Sequence, residues 1–247
     1  MDSIAIFKIT RQSLGVDEIR AGVVAVAPVQ GGDLPAAEYY RFMVPYVVEH
    51  GHLIAPGELG CVLSHLSIYR RVVENGRGAV ILEEDINASL DLLNQARILC
   101  GKSGLDFIHL GWHPNVLSKR GFRGRRQGPD GVWEIDTRVG FVGAFAYYVS
   151  PRAAQELIAF HSPYPKKADA WADFIRSSSI VPYFRGIFFH PVERGGLSDE
   201  RKSAKAYRLR RIVVAGLRRW VREKLNRLFV RAAFRKILLP GGGGLKG

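Results

Sequence analysis

The sequence predicts an α/β fold, and three observations carry that expectation. Short apolar runs at Ser3–Ile9, Val23–Ala27, Ala79–Leu82 and Leu105–Leu110 read as strands. Between them lie segments with apolar residues at helical spacing, most clearly Gly57–Glu74. Two helix starts are marked by a serine able to cap, Ser89 and Ser150, the second followed by Pro151 at the first helical position. Strands alternating with helices imply a sheet built with right-handed crossovers and flanked by helices.

Taken in order, Ser3–Ile9 is a first strand, and Val23–Ala27 a second that is short and apolar enough to be buried. In the long helix, Leu59, Val62, Leu63, Leu66, Tyr69 and Val73 recur on one side, and Asn75-Gly76 supply a stop signal. Ala79–Leu82 then delivers an acidic triplet, Glu83-Glu84-Asp85, as a buried strand does whose carboxyl end opens into a site. A helix capped by Ser89 runs to about Cys100, followed by the strand Leu105–Leu110. From Gly111 to Gly131 the chain is rich in Gly, Pro and Arg, including Arg120, Arg123, Arg125 and Arg126, and a mobile loop is expected there. Order resumes in an aromatic-rich strand, Phe141–Val149, and the helix behind Ser150-Pro151.

The charge is unevenly placed. The 247 residues carry a net charge of +13, and 201–240 alone hold 14 Lys or Arg against one acidic residue, so the rest sums to zero. The expected organisation is a catalytic domain at 1–200, a basic amphipathic tail at 201–240 and a flexible end at 241–247. Within the tail, Val213, Leu217, Trp220, Val221, Leu225 and Leu228 gather on one side and Arg211, Arg218, Arg219 and Arg222 around the other. A basic helix bearing Trp suits the surface of an anionic membrane. A nucleic-acid arm is the competing reading, but phosphate contact needs no apolar side and no nucleic-acid motif accompanies the tail, so no nucleic-acid partner is expected. Met1–Thr10 lacks a signal-peptide run, and Cys61 and Cys100 form neither a metal pattern nor a disulfide framework. The expected location is the cytoplasm, peripheral on the inner face of the cytoplasmic membrane.

Successive residues at a strand end alternate, which sends Glu83 and Asp85 to one side and Glu84 to the other. Glu58 and His65 lie two turns apart on one flank of the long helix, where they face a common cleft. Gly57 and Gly60 permit close backbone approach, and a helix N-terminus favours a diphosphate or a hydroxyl-rich ligand. The bland alternative for His65 is simple packing, the commoner case for a lone histidine.

The block Gly57-Glu58-Leu59-Gly60-Cys61-Val62-Leu63-Ser64-His65, followed after the helix by Ile81-Leu82-Glu83-Glu84-Asp85, resembles glycosyltransferase family 25, which includes enzymes of lipooligosaccharide synthesis and collagen galactosyltransferases. Phe107-Ile108-His109-Leu110-Gly111 and Ala146-Tyr147-Tyr148-Val149-Ser150 resemble further family segments. The resemblance implies a GT-A type, Rossmann-like sheet, a nucleotide-sugar donor and inversion at the anomeric carbon. By family habit the donor is UDP-galactose and the acceptor a saccharide or glycolipid. It marks Gly57, Glu58, Gly60, Ser64, His65, Glu83 and Glu84 as donor-binding candidates. It also offers Asp169 as the base toward the acceptor, with Trp171 available to stack on a sugar; the alternative for Asp169 is a helix cap before Ala170.

A departing diphosphate must be neutralised, and a hard divalent cation, Mn2+ or Mg2+, does this when held by one or two carboxylates and phosphate oxygens. Asp85 is the expected principal ligand, aided by Glu83. Glu84 stands where the family pattern has Asp, which puts metal dependence in question. It also motivates an alternative, a non-catalytic membrane-bound adaptor that keeps the fold. The arginine-rich loop and the segment Pro191–Ser203 are further candidates to reach the site.

Overall fold

A computed structural model describes residues 4–112, 124–135 and 143–191 of the chain. The expected basic tail and flexible end, residues 113–123 of the arginine-rich loop and everything after Pro191 lie outside the described residues.

The described residues form eight strands: β1 Ala5–Ile9, β2 Val24–Val26, β3 Ala79–Glu83, β4 Phe107–Trp112, β5 Gly124–Gln127, β6 Trp133–Ile135, β7 Ala146–Val149 and β8 Pro182–Phe189. Six α-helices accompany them: α1 Val16–Arg20, α2 Ala36–His50, α3 Pro56–Asn75, α4 Leu90–Ser103, α5 Pro151–His161 and α6 Trp171–Ser177. The strands make one sheet in the order β2-β1-β3-β7-β4-β8-β6-β5. β1 runs parallel to β2 and β3, and β4 parallel to β8. β7 is antiparallel to both of its neighbours, so the sheet is mixed. The reason is topological: the chain enters β7 from the edge where β4 ends and returns through the sheet to start α5 at the other edge.

Alternation along the strands sorts the core into two layers. Ala79 and Ile81 of β3, with Phe107 and Tyr147, pack against α3, α5 and α6. Val80 and Leu82, with Ile108, Ala146 and Tyr148, pack against α4 and its neighbours Leu93, Ala96 and Cys100. Helix α3 buries Leu59, Val62, Leu66 and Tyr69 as the periodicity predicts, with Val72 fully buried and Leu63 and Val73 only partly so, and ends where Gly76 adopts φ 62° and caps it left-handed. Ser89 and Ser150 cap α4 and α5 by accepting from the backbone N–H of Leu92 and Ala153.

Three expectations need correction. The run Val23–Ala27 is an edge strand with Val24 45% exposed, because β1 covers it on one side only. The later part of the region expected to be a mobile loop instead contributes β5, which pairs antiparallel with β6 just beyond that region, and the two continue the sheet past β8. Helix α2 is unannounced by the sequence; it carries Pro45 internally and packs Tyr46 onto Ile54 and Leu59 outside α3. No helix among the described residues is long and apolar enough to cross a membrane.

Candidate active site at the carboxyl edge of the sheet

β1, β3, β4 and β8 all run in one direction, so their carboxyl ends meet along one edge. The start of β7 joins them there, since the Glu83 N–H donates to the Phe145 carbonyl at 2.8 Å. This edge collects most of the polar residues singled out by the sequence.

β3 ends at Glu83, and Glu84 and Asp85 form a turn, so strict alternation stops before Asp85. The three carboxylates diverge to three different partners. Glu83 turns to the α3 side, where its Oε1 lies 3.2 Å from His65 Nε2. Glu84 turns to the end of β1 and accepts from the Arg11 N–H at 3.1 Å and the Thr10 hydroxyl at 3.2 Å. Asp85 meets His190, whose Nε2 is 2.7 Å from Oδ2. The expectation that Glu83 and Asp85 share one side does not hold, because the turn ends the alternation and Asp85 meets His190 while Glu83 meets His65, although the two stay close enough for the Glu83 charge to act on Asp85. Partial burial, helped by that charge, raises the Asp85 pKa above the usual carboxylate range, while His190 pulls it back.

His190 is the functional candidate that sequence reasoning missed. It follows the aromatic end of β8, and its ring is held in place from two sides: Nδ1–H donates to the Pro191 carbonyl at 2.8 Å, and the Phe145 ring packs edge-on at 4.8 Å. A carbonyl can only accept, so Nδ1 carries the proton and Nε2 is the atom presented to Asp85. Nε2 and Asp85 Oδ2, 2.7 Å apart, share either a proton or a cation. The only sequence signal is a histidine closing an apolar run, which by itself names no partner.

His65 is 1% exposed, so it does not share an open cleft with Glu58. Its ring instead links the core to the edge, with Nδ1 2.6 Å from the Tyr147 hydroxyl, which lies 2.7 Å from that of Tyr69. Burial in this layer raises the pKa of both tyrosines, so both hydroxyls keep their protons. Glu58 reaches back to the Ala55 N–H at 3.3 Å and pairs with Lys167 at 3.5 Å, so the first turn of α3 is capped by its own carboxylate. Ser64 is fully buried; it donates to the Gly60 carbonyl at 2.7 Å and accepts from the Val29 N–H at 2.8 Å. Gly60 is where that loop crosses the helix, since a Cβ there would lie 2.3 Å from the Val29 carbonyl oxygen. Ser64 and Gly60 therefore hold the 29–31 loop on α3, and Gly57 stands exposed in the first turn.

Asp169 lies on the same edge, half-buried, accepting from the Gly143 N–H at 3.4 Å. It is not a helix cap, because Ala170 occupies that position before α6 with no side-chain cap bond. Trp171 overturns the expectation of sugar stacking: it is 1% exposed, lies between Phe107 and Tyr147, and donates to the Gly143 carbonyl at 2.9 Å. His109 Nε2 reaches the same carbonyl at 2.8 Å, and a carbonyl partner requires that nitrogen to carry the proton. Burial lowers the His109 pKa, so the ring is held neutral, and the segment bearing Gly143 is anchored from two sides.

No curated protein matches the chain. A family model described as glycosyltransferase family 25 (LPS biosynthesis protein) matches residues 44–172, more than half of the chain, and spans α3, β3 and β7 together with Asp169. The acidic strand end, the helix that flanks it and the segment around Asp169 thus all fall inside the matched region, and the chain belongs to glycosyltransferase family 25.

Proposed function

We propose that this glycosyltransferase moves a hexose, galactose by family habit, from a UDP-sugar to a saccharide or glycolipid acceptor with inversion, in the synthesis of a surface glycan. The observation that carries the reading is the pairing of Asp85 with His190 at 2.7 Å on the carboxyl edge of the sheet, beside Glu83. In open α/β sheets that edge is where ligands bind, and a GT-A type arrangement places the nucleotide there.

The residues fit a hard divalent cation at Asp85, because one carboxylate is sufficient when phosphate oxygens complete the shell. Asp85 would hold it, with His190 beside it; Glu83 faces His65 and Glu84 faces Thr10 and Arg11, so neither is turned to the same point. When bound, such a cation offsets the charge that develops on the leaving diphosphate. The Pro191 carbonyl and the Phe145 ring fix His190 so that Nε2 addresses Asp85. Asp169, oriented by the Gly143 N–H, serves as the base that takes the acceptor hydroxyl proton.

Incubating the purified chain with Mn2+, a panel of sugar nucleotides and saccharide acceptors tests this reading. Asp85→Asn is expected to lower donor turnover by roughly 10²–10³. Asp169→Asn is expected to lower transfer by about 10²–10⁴ while sparing donor hydrolysis. No turnover with any donor would leave the adaptor reading standing, and wild-type rates in both variants would remove the site assignment. We further propose that the basic tail places the enzyme on the cytoplasmic face of an anionic membrane. Sedimentation with anionic vesicles should be lost in a chain ending near Ser203; equal binding by both chains defeats that role.

A further inference from the structure

Cys61, His65 and Glu83 place a thiol, an imidazole and a carboxylate within 4.8 Å of one another. Cys61 and His65 are one turn apart on α3 and so project from the same side, toward the end of β3. Their convergence with Glu83 comes from the packing of α3 on the sheet, which buries His65 while leaving the Glu83 side chain 30% exposed and Cys61 accessible to solvent.

We infer that these three residues form a site for a thiophilic divalent ion such as Zn2+, separate from the cation position at Asp85. The donor set is the first reason. Sulfur and imidazole nitrogen with a single carboxylate oxygen suit Zn2+, whereas Mg2+ and Mn2+ favour all-oxygen or oxygen-rich sets. Geometry is the second. Bonds of about 2.0–2.1 Å in a tetrahedron set nitrogen and oxygen ligands roughly 3.3 Å apart, and His65 Nε2 and Glu83 Oε1 are separated by 3.2 Å. The third is the support behind the imidazole. A ligating histidine normally uses its other nitrogen in a hydrogen bond, and His65 Nδ1 lies 2.6 Å from the buried Tyr147 hydroxyl, itself backed by Tyr69 at 2.7 Å. A bound ion would take the Nε2 lone pair in place of the proton shared with Glu83, with Nδ1–H donating to Tyr147 and Tyr147 donating onward to Tyr69. Three protein ligands and a solvent-facing side leave one coordination position open, as in zinc sites that bind water or a small ligand.

The inference rests on this geometry and stands whether or not the transfer reading at Asp85 holds. Cobalt(II) is the probe. Added to the full-length reduced protein, it should give the absorption of a tetrahedral site with a thiolate-to-cobalt charge-transfer band in the near ultraviolet, and Zn2+ but not Mg2+ should erase it. Cys61→Ser, a near-isosteric change at an accessible position, should abolish the charge-transfer band with an unchanged far-ultraviolet circular dichroism spectrum. Glu83→Gln should weaken Co2+ binding at least tenfold, and Asp85→Asn should leave the band in place. Absence of the band in the wild-type protein, or its survival in Cys61→Ser, overturns the proposal.

Discussion

The two faces of the central sheet are built from the same strands but from different chemistry. Under α4, Val80, Leu82, Ile108 and Ala146 meet Leu93, Ala96 and Cys100, an apolar layer that ends at the buried Lys8–Glu18 pair. Under α3, the residues in alternate register include Tyr147, which joins Tyr69 and His65 in a polar chain leading to Glu83. An apolar solution is thus available to this sheet and is used on one side. Polar groups in a core cost free energy unless every one is partnered, so the chain under α3 is better explained by what it presents at the edge than by packing.

Acid should separate the two faces most. His161 of α5, in the α3 layer, has its pKa pushed down to about 3, first by burial and then by the Lys166 charge. Its ring stays neutral and accepts from the Lys166 N–H at 3.1 Å. Because the folded-state pKa lies below the unfolded value near 6.5, the unfolded chain takes up the proton first. The stability tied to neutral His161 is complete above about pH 6.5 and is lost as pH falls toward 3, by at most ~1.4 kcal/mol per pH unit. Urea titrations at pH 7 and pH 5 should give a smaller drop in midpoint for His161→Gln than for the wild-type chain. An equal drop in both would assign the acid sensitivity elsewhere.

The polar side was also the harder one to read from sequence. Helix α3 and strand β3 are legible because periodicity and stop signals are local, and the carboxylates at the β3 end stand out as a charged triplet after an apolar run. Partners are not local. His65 finds Tyr147 82 positions away, and Asp85 finds His190 at the end of a strand separated from β3 by β7 and β4, so neither pairing leaves a mark in nearby residues. Helix α2 is obscured for another reason: Pro45 interrupts it, and Tyr40, Val44 and Val48 face solvent, so its apolar pattern does not identify a buried side. Trp171 misleads in the opposite sense, since an aromatic beside a candidate base invites a role in binding, while its neighbours Phe107 and Tyr147 bury it.

Adjacent tyrosines on β7 offer the finest comparison, because they point to opposite faces. Tyr147→Phe removes the hydroxyl between His65 and Tyr69 and leaves both buried groups short of a partner, at a cost of about 1–3 kcal/mol. Tyr148 lies in the α4 layer, where burial raises its pKa to about 12, and its hydroxyl has no hydrogen-bond partner among the described residues. Tyr148→Phe should therefore change stability by less than ~0.5 kcal/mol. Equilibrium unfolding of the two variants reads the difference directly, and turnover adds a second axis: Tyr147→Phe loosens the ring that holds Glu83, whereas Tyr148→Phe touches nothing at the edge. If both changes prove equally mild, the hydroxyl of Tyr147 is incidental to the layer, and the polar chain under α3 loses its claim to orient the site.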